Sequence, residues 1–153
     1  MKLTVRGEYA LRALIVLGQN HHEGVVKIQF ISEQQNIPKR FLEQILTDLK
    51  SGGFVESRRG IEGGYRLRIP AAQITLAKVI RHIEGALAPV SCVSENFYQK
   101  CSCPDERQCA LRSVMKELRD AIVTHLEKVT VEDLCERAQH LKSAPLAGWD
   151  FAI

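Results

Sequence analysis

The sequence predicts a mainly α-helical chain that carries one small β-hairpin. Apolar residues recur at helical spacing in three stretches before residue 51. Two strand-like stretches then flank a glycine-rich turn at residues 59–65. Apolar residues recur again over about five helical turns up to residue 129. This order of elements predicts a winged helix-turn-helix followed by a long dimerisation helix.

The first two helices have recognisable start and stop signals. Thr4 is a good N-terminal cap, and Gly18 marks the end of the first helix. After a turn at residues 21–24, a short helix is predicted over residues 26–36. Asn36-Ile37-Pro38 breaks it.

The third helix is predicted to start at Pro38, because the first helical position needs no backbone donor. Its buried stripe is predicted to comprise Leu42, Ile45, Leu46 and Leu49. The polar residues expected to face outward include Lys39, Arg40 and Gln44.

The hairpin is predicted from residues 54–57, which read as one strand, and 65–69, which alternate as the return strand. Four arginines flank its glycines: Arg58, Arg59, Arg66 and Arg68. A helix capped by Thr75 and ended by Gly85 completes a winged helix-turn-helix domain over residues 1–85.

The rest of the chain divides into three parts. Residues 86–104 form a cysteine-rich loop, and residues 105–142 contain a long helix opened by Pro104-Asp105 and a final helix capped by Thr130. Residues 143–153, with Trp149 and Phe151, form a tail that we expect to be loosely held. The long helix would leave a wide apolar stripe in water, so we expect it to pair with a second copy rather than with its own domain alone.

Double-stranded DNA is the partner that these features favour. Arg40 and Gln44 suit bidentate contacts to guanine and adenine, with Lys39 beside them. Arg58, Arg59 and Arg66 suit phosphate or minor-groove contacts. In residues 1–70, Lys and Arg outnumber Asp and Glu by eleven to seven. The alternatives are a solvated charged face or a winged helix used for protein contacts.

Composition excludes several classes of protein. With 45% hydrophobic and 25% charged residues the chain is typical of a globular protein. No apolar run approaches the roughly 20 residues of a membrane span. Glu8 and Arg12 interrupt the apolar N-terminal stretch, so we expect no signal peptide and a cytoplasmic protein. No phosphate loop or nucleophile with a base is present, so we expect no catalysis.

Four of the five cysteines lie within residues 92–109. In a reducing compartment such crowding indicates a metal or redox site. A zinc site is a poor fit, because one residue separates Cys101 from Cys103. A thiol switch that pairs Cys92 with Cys101 or Cys103 stays open. Cys135 is interpreted as an ordinary packed thiol.

Three segments resemble the Rrf2 family of winged-helix iron–sulfur regulators, typified by IscR, NsrR and RirA. They read MKLTVRGEYALRAL, ISEQQNIPKRFLEQILTDLKSGGFVESRRGIEGGYRL and ITLAKVIRHIEG, and the resemblance extends over residues 1–141. It implies a homodimeric transcription regulator that binds palindromic DNA, with its two recognition helices roughly 34 Å apart. It also implies an iron–sulfur cluster, 2Fe–2S or 4Fe–4S. The implied signal is iron, redox or nitric oxide status. Which of these it is, and whether the protein represses or activates, stay open.

The resemblance implies a set of cluster ligands. Cys92, Cys103 and Cys109 match the family's three cysteines, with Cys101 as an alternative to Cys103. Arg112 stands where some members carry a histidine ligand, so Glu8 from the partner subunit is the candidate fourth ligand. Glu8 paired with Arg12 on its own helix is the equal alternative. A cluster tied to both subunits would fix the angle between the DNA-binding units. A cluster-free regulator controlled by thiol oxidation or a partner protein is the alternative function.

Overall fold

Helix α1 (Val5–Gln19) lies at the centre of this computed structural model, which describes residues 3–143. Its N-terminus is capped as predicted, since the Thr4 hydroxyl accepts a hydrogen bond from the Gly7 amide. Ala10, Leu14 and Leu17 are fully buried on the face that the other helices cover. This face is the middle of the main apolar core.

The helix-turn-helix comprises α2 (Ile28–Gln35) and α3 (Lys39–Ser51). Asn36 ends α2 in the left-handed conformation with φ 50°, which redirects the chain into α3. The predicted stripe of α3 is confirmed, because Leu42, Ile45, Leu46 and Leu49 are at most 1% exposed.

The wing is an antiparallel hairpin of β1 (Val55–Arg58) and β2 (Gly64–Leu67), with Val55 opposite Leu67 and Arg58 opposite Gly64. Val26 was predicted to be helical but instead bridges to Tyr65 through two backbone hydrogen bonds of 2.7 and 2.8 Å. A side chain at Gly64 would meet the Val26 carbonyl oxygen at 2.5 Å. The glycine therefore lets the helix-turn-helix and the wing pack directly on each other.

The last three helices are α4 (Leu76–Glu84), α5 (Ala110–Lys128) and α6 (Val131–Ser143). The caps predicted at Thr75 and Thr130 are confirmed by side-chain hydrogen bonds to the amides of Lys78 and Asp133. Helix α6 returns to α1, where Val131 and Cys135 complete the main core. The winged helix-turn-helix with a long additional helix is thus the observed fold.

Helix α5 begins five residues later than the sequence pattern indicates. Asp105 accepts a hydrogen bond of 2.8 Å from the Arg107 amide and begins a short 3-10 turn, Glu106–Gln108. Cys109 then adopts an extended backbone (φ −80°, ψ 105°) and separates this turn from the helix. The sequence pattern did not predict this later start, because a cysteine that caps a helix carries no strong sequence signal.

No helix within residues 3–143 has both the length and the apolar character that crossing a membrane requires. The expectation of a loosely held tail, including Trp149 and Phe151, concerns residues 144–153 almost entirely and lies outside the described residues.

Candidate functional site

The outer face of α3 presents polar side chains near its N-terminus. Lys39, Arg40 and Gln44 are all exposed. Within residues 3–143, neither Lys39 nor Arg40 forms an ion pair, so both positive charges are available to a polyanion.

Side-chain bonds fix α3 relative to its neighbours. Asp48 forms an ion pair with Arg6 of α1, and Lys50 Nζ donates a 2.7 Å hydrogen bond to Ser57 Oγ in β1. Helix α3 is therefore held at a defined angle to α1 and to the wing.

The four wing arginines are not equivalent. Arg58 and Arg59 are exposed at the hairpin turn, and the described residues give them no ion pair. Gly60 next to them has φ +108°, which a residue with a side chain rarely adopts. Arg66 instead pairs with Glu56 across the hairpin, and Arg66 and Arg68 line a cavity of about 600 Å³ between the wing and α6. The structure thus separates Arg58 and Arg59 at the turn from Arg66 and Arg68 beside the cavity.

Two exposed apolar residues, one on α3 and one on the wing, escaped the sequence interpretation. Phe41 of α3 is 38% exposed, and Ile61 at the tip of the wing is 92% exposed. Two features of the sequence indicate them: an aromatic residue outside the buried stripe of α3, and an isoleucine inside a glycine-rich turn.

The structure brings the four loop cysteines into two environments. Cys92 is buried in a small cluster with Ala88 and Val93, and Cys101 and Met115 pack against that cluster. Cys101 is joined by a disulfide to Cys103, with the two Cα atoms 5.5 Å apart. The disulfide differs from the pairing of Cys92 with Cys101 or Cys103 expected for a thiol switch, because Cys92 is a free thiol here. Cys101, the alternative ligand, therefore packs directly on the Cys92 cluster. Cys103, the preferred ligand, is connected to that cluster through the disulfide.

Cys109 and Cys92 are both attached to the start of α5. The Cys109 sulfur caps the helix by accepting a 3.4 Å hydrogen bond from the Arg112 amide. The Arg112 guanidinium donates to the Cys92 carbonyl at 3.2 Å, and Arg119 donates to the Val93 carbonyl at 2.8 Å. Arg112, in place of the family's histidine, thus links two of the predicted ligand segments through hydrogen bonds.

Glu106 is a loop residue that the sequence interpretation missed. Its carboxylate accepts hydrogen bonds from the Tyr98 hydroxyl at 2.7 Å and from the Cys101 amide at 3.1 Å. The bond from Tyr98 is the main reason that the pKa of Glu106 is lowered, and the same bond raises the pKa of Tyr98. Glu106 therefore holds the middle of the cysteine loop in place as an anion.

Glu8 lies on the exposed side of α1, far along the chain from the cysteines. Its carboxylate forms a 3.1 Å ion pair with Arg12, and 55% of its side chain remains exposed. Arg12 also donates to the Gln35 carbonyl and lies over the Tyr9 ring. The intrahelical pair is present, and the exposed carboxylate is still accessible to a second subunit.

The donor set of the loop fits an iron–sulfur cluster in its chemistry, because thiolates are the ligands such clusters take. Among residues 3–143, no three His, Cys, Asp or Glu side chains are already gathered as a metal site. The Cys101–Cys103 disulfide would have to be reduced before either sulfur could bind metal.

Cys135 belongs to the fold rather than to this loop. Its thiol points at the Ile15 carbonyl, 3.5 Å away, in the main core. Burial is the chief cause of its raised pKa, followed by the charges of Glu132 and Glu136. A thiol that resists ionisation is a poor metal ligand, which agrees with the packed role predicted for it.

Helix α5 has two apolar faces. Val123 and Leu126 pack on the cluster that α4 supplies, and Met115 packs on the Cys92 cluster. Leu111, Val114 and Leu118, on an adjoining strip of the helix, remain 45–66% exposed. Their spacing of three and four residues is that of a helix–helix seam.

Comparisons with a family model and with known proteins both match transcriptional regulators. The family model Rrf2, described as an iron-dependent transcriptional regulator, matches residues 3–137. An Rrf2-like helix-turn-helix regulator of Rhodobacter capsulatus is 35% identical over 136 residues, 86% of this chain and 91% of that protein.

Solved structures show the same fold. CymR, the global cysteine regulator of B. subtilis, superposes with a TM-score of 0.77 at 31% identity, over 90% of this chain and 98% of that one. IscR of T. potens superposes with a TM-score of 0.74 at 26% identity, over 95% and 93% of the two chains.

Proposed function

The chain belongs to the Rrf2 family of transcriptional regulators, and from that premise we propose that it is a homodimer that binds palindromic DNA and carries an iron–sulfur cluster on its cysteine loop. Its relatives are transcription regulators and not enzymes. The observation that carries the proposal is the attachment of Cys92 and Cys109 to the first turn of α5, the helix with the unpaired apolar face.

The DNA-binding part of the proposal uses α3 and the tip of the wing. Lys39, Arg40 and Gln44 would enter the major groove, while Arg58 and Arg59 would contact the backbone or the minor groove. Arg66 is a weaker candidate, because Glu56 already neutralises it.

The dimer part uses the exposed face of α5. Leu111, Val114 and Leu118 would pack against the same residues of a second copy, which removes their apolar surface from water. A two-fold axis through this seam would place two recognition helices for a palindromic site.

The cluster part uses Cys92, Cys109 and either Cys103 or Cys101, with Glu8 of the partner subunit as the fourth ligand. When bound, an iron–sulfur cluster would supply a redox-sensitive and labile link between the loop and the partner subunit. Arg112 and Arg119 hold the Cys92 segment on α5, and Cys109 begins that helix. A change at the thiols is therefore transmitted directly to the dimer helix.

The test is anaerobic purification followed by an absorption spectrum and by iron and sulfide analysis. Wild type should be coloured and contain both elements, and Cys92→Ser and Cys109→Ser should lose them. Cys135→Ser, whose thiol lies in the main core, is the matched control and should keep the cluster. A colourless, iron-free wild type would exclude the cluster. Comparing Cys101→Ser with Cys103→Ser identifies the middle ligand.

A thiol switch is the second candidate, and the Cys101–Cys103 disulfide favours it. Two thiols and one molecule of hydrogen peroxide would give this disulfide and two molecules of water. Under this alternative, the metal-free protein should change DNA affinity on peroxide treatment and recover with dithiothreitol. Cys101→Ser should abolish the response, and Cys135→Ser should retain it.

A further inference from the structure

We propose that a depression beside Phe41 on α3 reads thymine by receiving its 5-methyl group. This inference rests on the proposed binding of α3 in the major groove. The depression has a volume of about 440 Å³ and is lined by Pro38, Arg40, Phe41 and Gln44. All four residues lie at the N-terminal end of α3, the part of a recognition helix that comes closest to base edges.

Phe41 is an exception among the large apolar residues of its helix. The four residues of the buried stripe are at most 1% exposed, whereas Phe41 is 38% exposed and faces the depression. The exposed part of the Phe41 ring contributes little to fold stability, because burial is what stabilises apolar side chains. A partner that covers the ring accounts for its exposure.

The ring is held in place before any partner arrives. Tyr9 of α1 meets it edge-on, with ring centroids 5.8 Å apart and an angle of 85° between the rings. Arg12 in turn lies over the Tyr9 ring, 5.2 Å from its centroid. Pro38, which also lines the depression, has a restricted backbone. Little side-chain entropy is therefore lost when a base edge contacts this surface.

The polar side chains at the depression select the kind of base. In the major groove thymine presents a methyl group beside the O4 acceptor, while cytosine presents an amino donor and no methyl group. Arg40 and Gln44 carry N–H donors, which suit the acceptors of guanine and adenine as well as thymine O4. The apolar surface beside these donors is the feature that matches the thymine methyl group. The unpaired charges of Lys39 and Arg40 make duplex DNA the favoured occupant over an apolar protein segment.

The experiment removes single methyl groups from the DNA. A binding site is first selected from a random duplex library with the wild-type protein, and each thymine is then replaced by deoxyuridine in turn. Fluorescence anisotropy should show at least one position per half-site where the change weakens wild-type binding about fourfold, the worth of one buried methyl group. Phe41→Ala should bind the thymine and deoxyuridine duplexes with equal affinity at that position.

Thr47→Ala is the matched control, because Thr47 is exposed on the same helix but lies outside the depression. It should keep the fourfold ratio. If Phe41→Ala does not fold, Phe41→Leu replaces it and should show a smaller ratio than wild type. A ratio that is unchanged in the Phe41 variants, or the absence of any sensitive thymine, overturns the inference. Failure to select any binding site would instead refute the proposed DNA binding itself.

Discussion

The DNA-reading region and the cysteine loop are built in opposite ways. Helix α3 and the wing rest on a continuous core in which Leu42, Leu46 and Val55 are almost completely buried, and they present exposed cations to the outside. The cysteine loop has a small cluster around Cys92 and is otherwise held by hydrogen bonds that Glu106 accepts and that Arg112 and Arg119 donate.

This difference suits the two tasks. A surface that reads DNA has to keep its geometry, and close packing provides that rigidity. A sensing segment has to change without unfolding the domain, and few apolar contacts permit local opening at low free-energy cost. Helices α4 and α5 lie between the two regions and pack around Ile80, Leu87 and Leu126.

The largest expected effect comes from breaking the core beneath the recognition helix. Leu46→Ala removes a fully buried side chain and should lower the free energy of unfolding by about 2–5 kcal/mol. Urea denaturation followed by circular dichroism measures it. The neighbouring Thr47→Ala should stay within about 0.5 kcal/mol of wild type, and equal losses in both variants would mean that the stripe of α3 does not stabilise the domain.

The next effect should be confined to the loop. Arg119 is 12% exposed, and its guanidinium donates to the Val93 carbonyl, so Arg119→Ala should weaken local protection by about 1.5–3 kcal/mol. Hydrogen exchange should accelerate at residues 91–94, while α3 keeps its protection. Arg107→Ala, at an exposed loop arginine, is the control. Faster exchange throughout α3 would show that the two regions are not separable.

The sequence was sufficient to predict those structural features that depend on a local pattern of residues. The stripe of α3 and the caps at Thr4, Thr75 and Thr130 depend on residues within one helix, and all were predicted. Arg66 illustrates the limit, because its partner Glu56 lies on the opposite strand and only the hairpin register brings the two together.

The cysteine loop was the harder part to predict. Spacing identified four thiols, yet the bond from Arg112 to the Cys92 carbonyl joins residues twenty positions apart. The role of Cys109 as a helix cap also depends on where the chain turns, which periodicity does not reveal. The sequence therefore located the candidate site but not the contacts that hold it.

The wing offers a smaller effect on DNA binding. Arg59→Ala should weaken binding about fivefold at 0.15 M salt and reduce the slope of log K against log salt by about 0.9, as expected when one phosphate contact is lost. Arg66→Ala should change affinity by about twofold or less, because Glu56 pairs with this arginine. Titrations at several salt concentrations measure both. Equal losses of DNA affinity in the two variants would mean that Arg66 contributes to DNA binding as much as Arg59 does.

The smallest effect concerns the cap at the start of α6. Asp133 accepts hydrogen bonds of 2.7 Å from both the hydroxyl and the amide of Thr130, and these bonds lower its pKa. A lowered pKa in the folded state stabilises the protein above the unfolded value of about 3.9, and this stabilisation is lost as pH falls through the folded value. The melting temperature of Asp133→Asn should therefore lie below that of wild type by a constant amount above about pH 5 and approach it at lower pH.

Glu132→Gln is the control, because Glu132 lies in the same helical turn but does not form these bonds. It should show a smaller difference from wild type, which separates the cap from a general effect of charge at the helix start. A gap between Asp133→Asn and wild type that stays constant down to pH 2 would mean that the carboxylate charge is not what stabilises this cap.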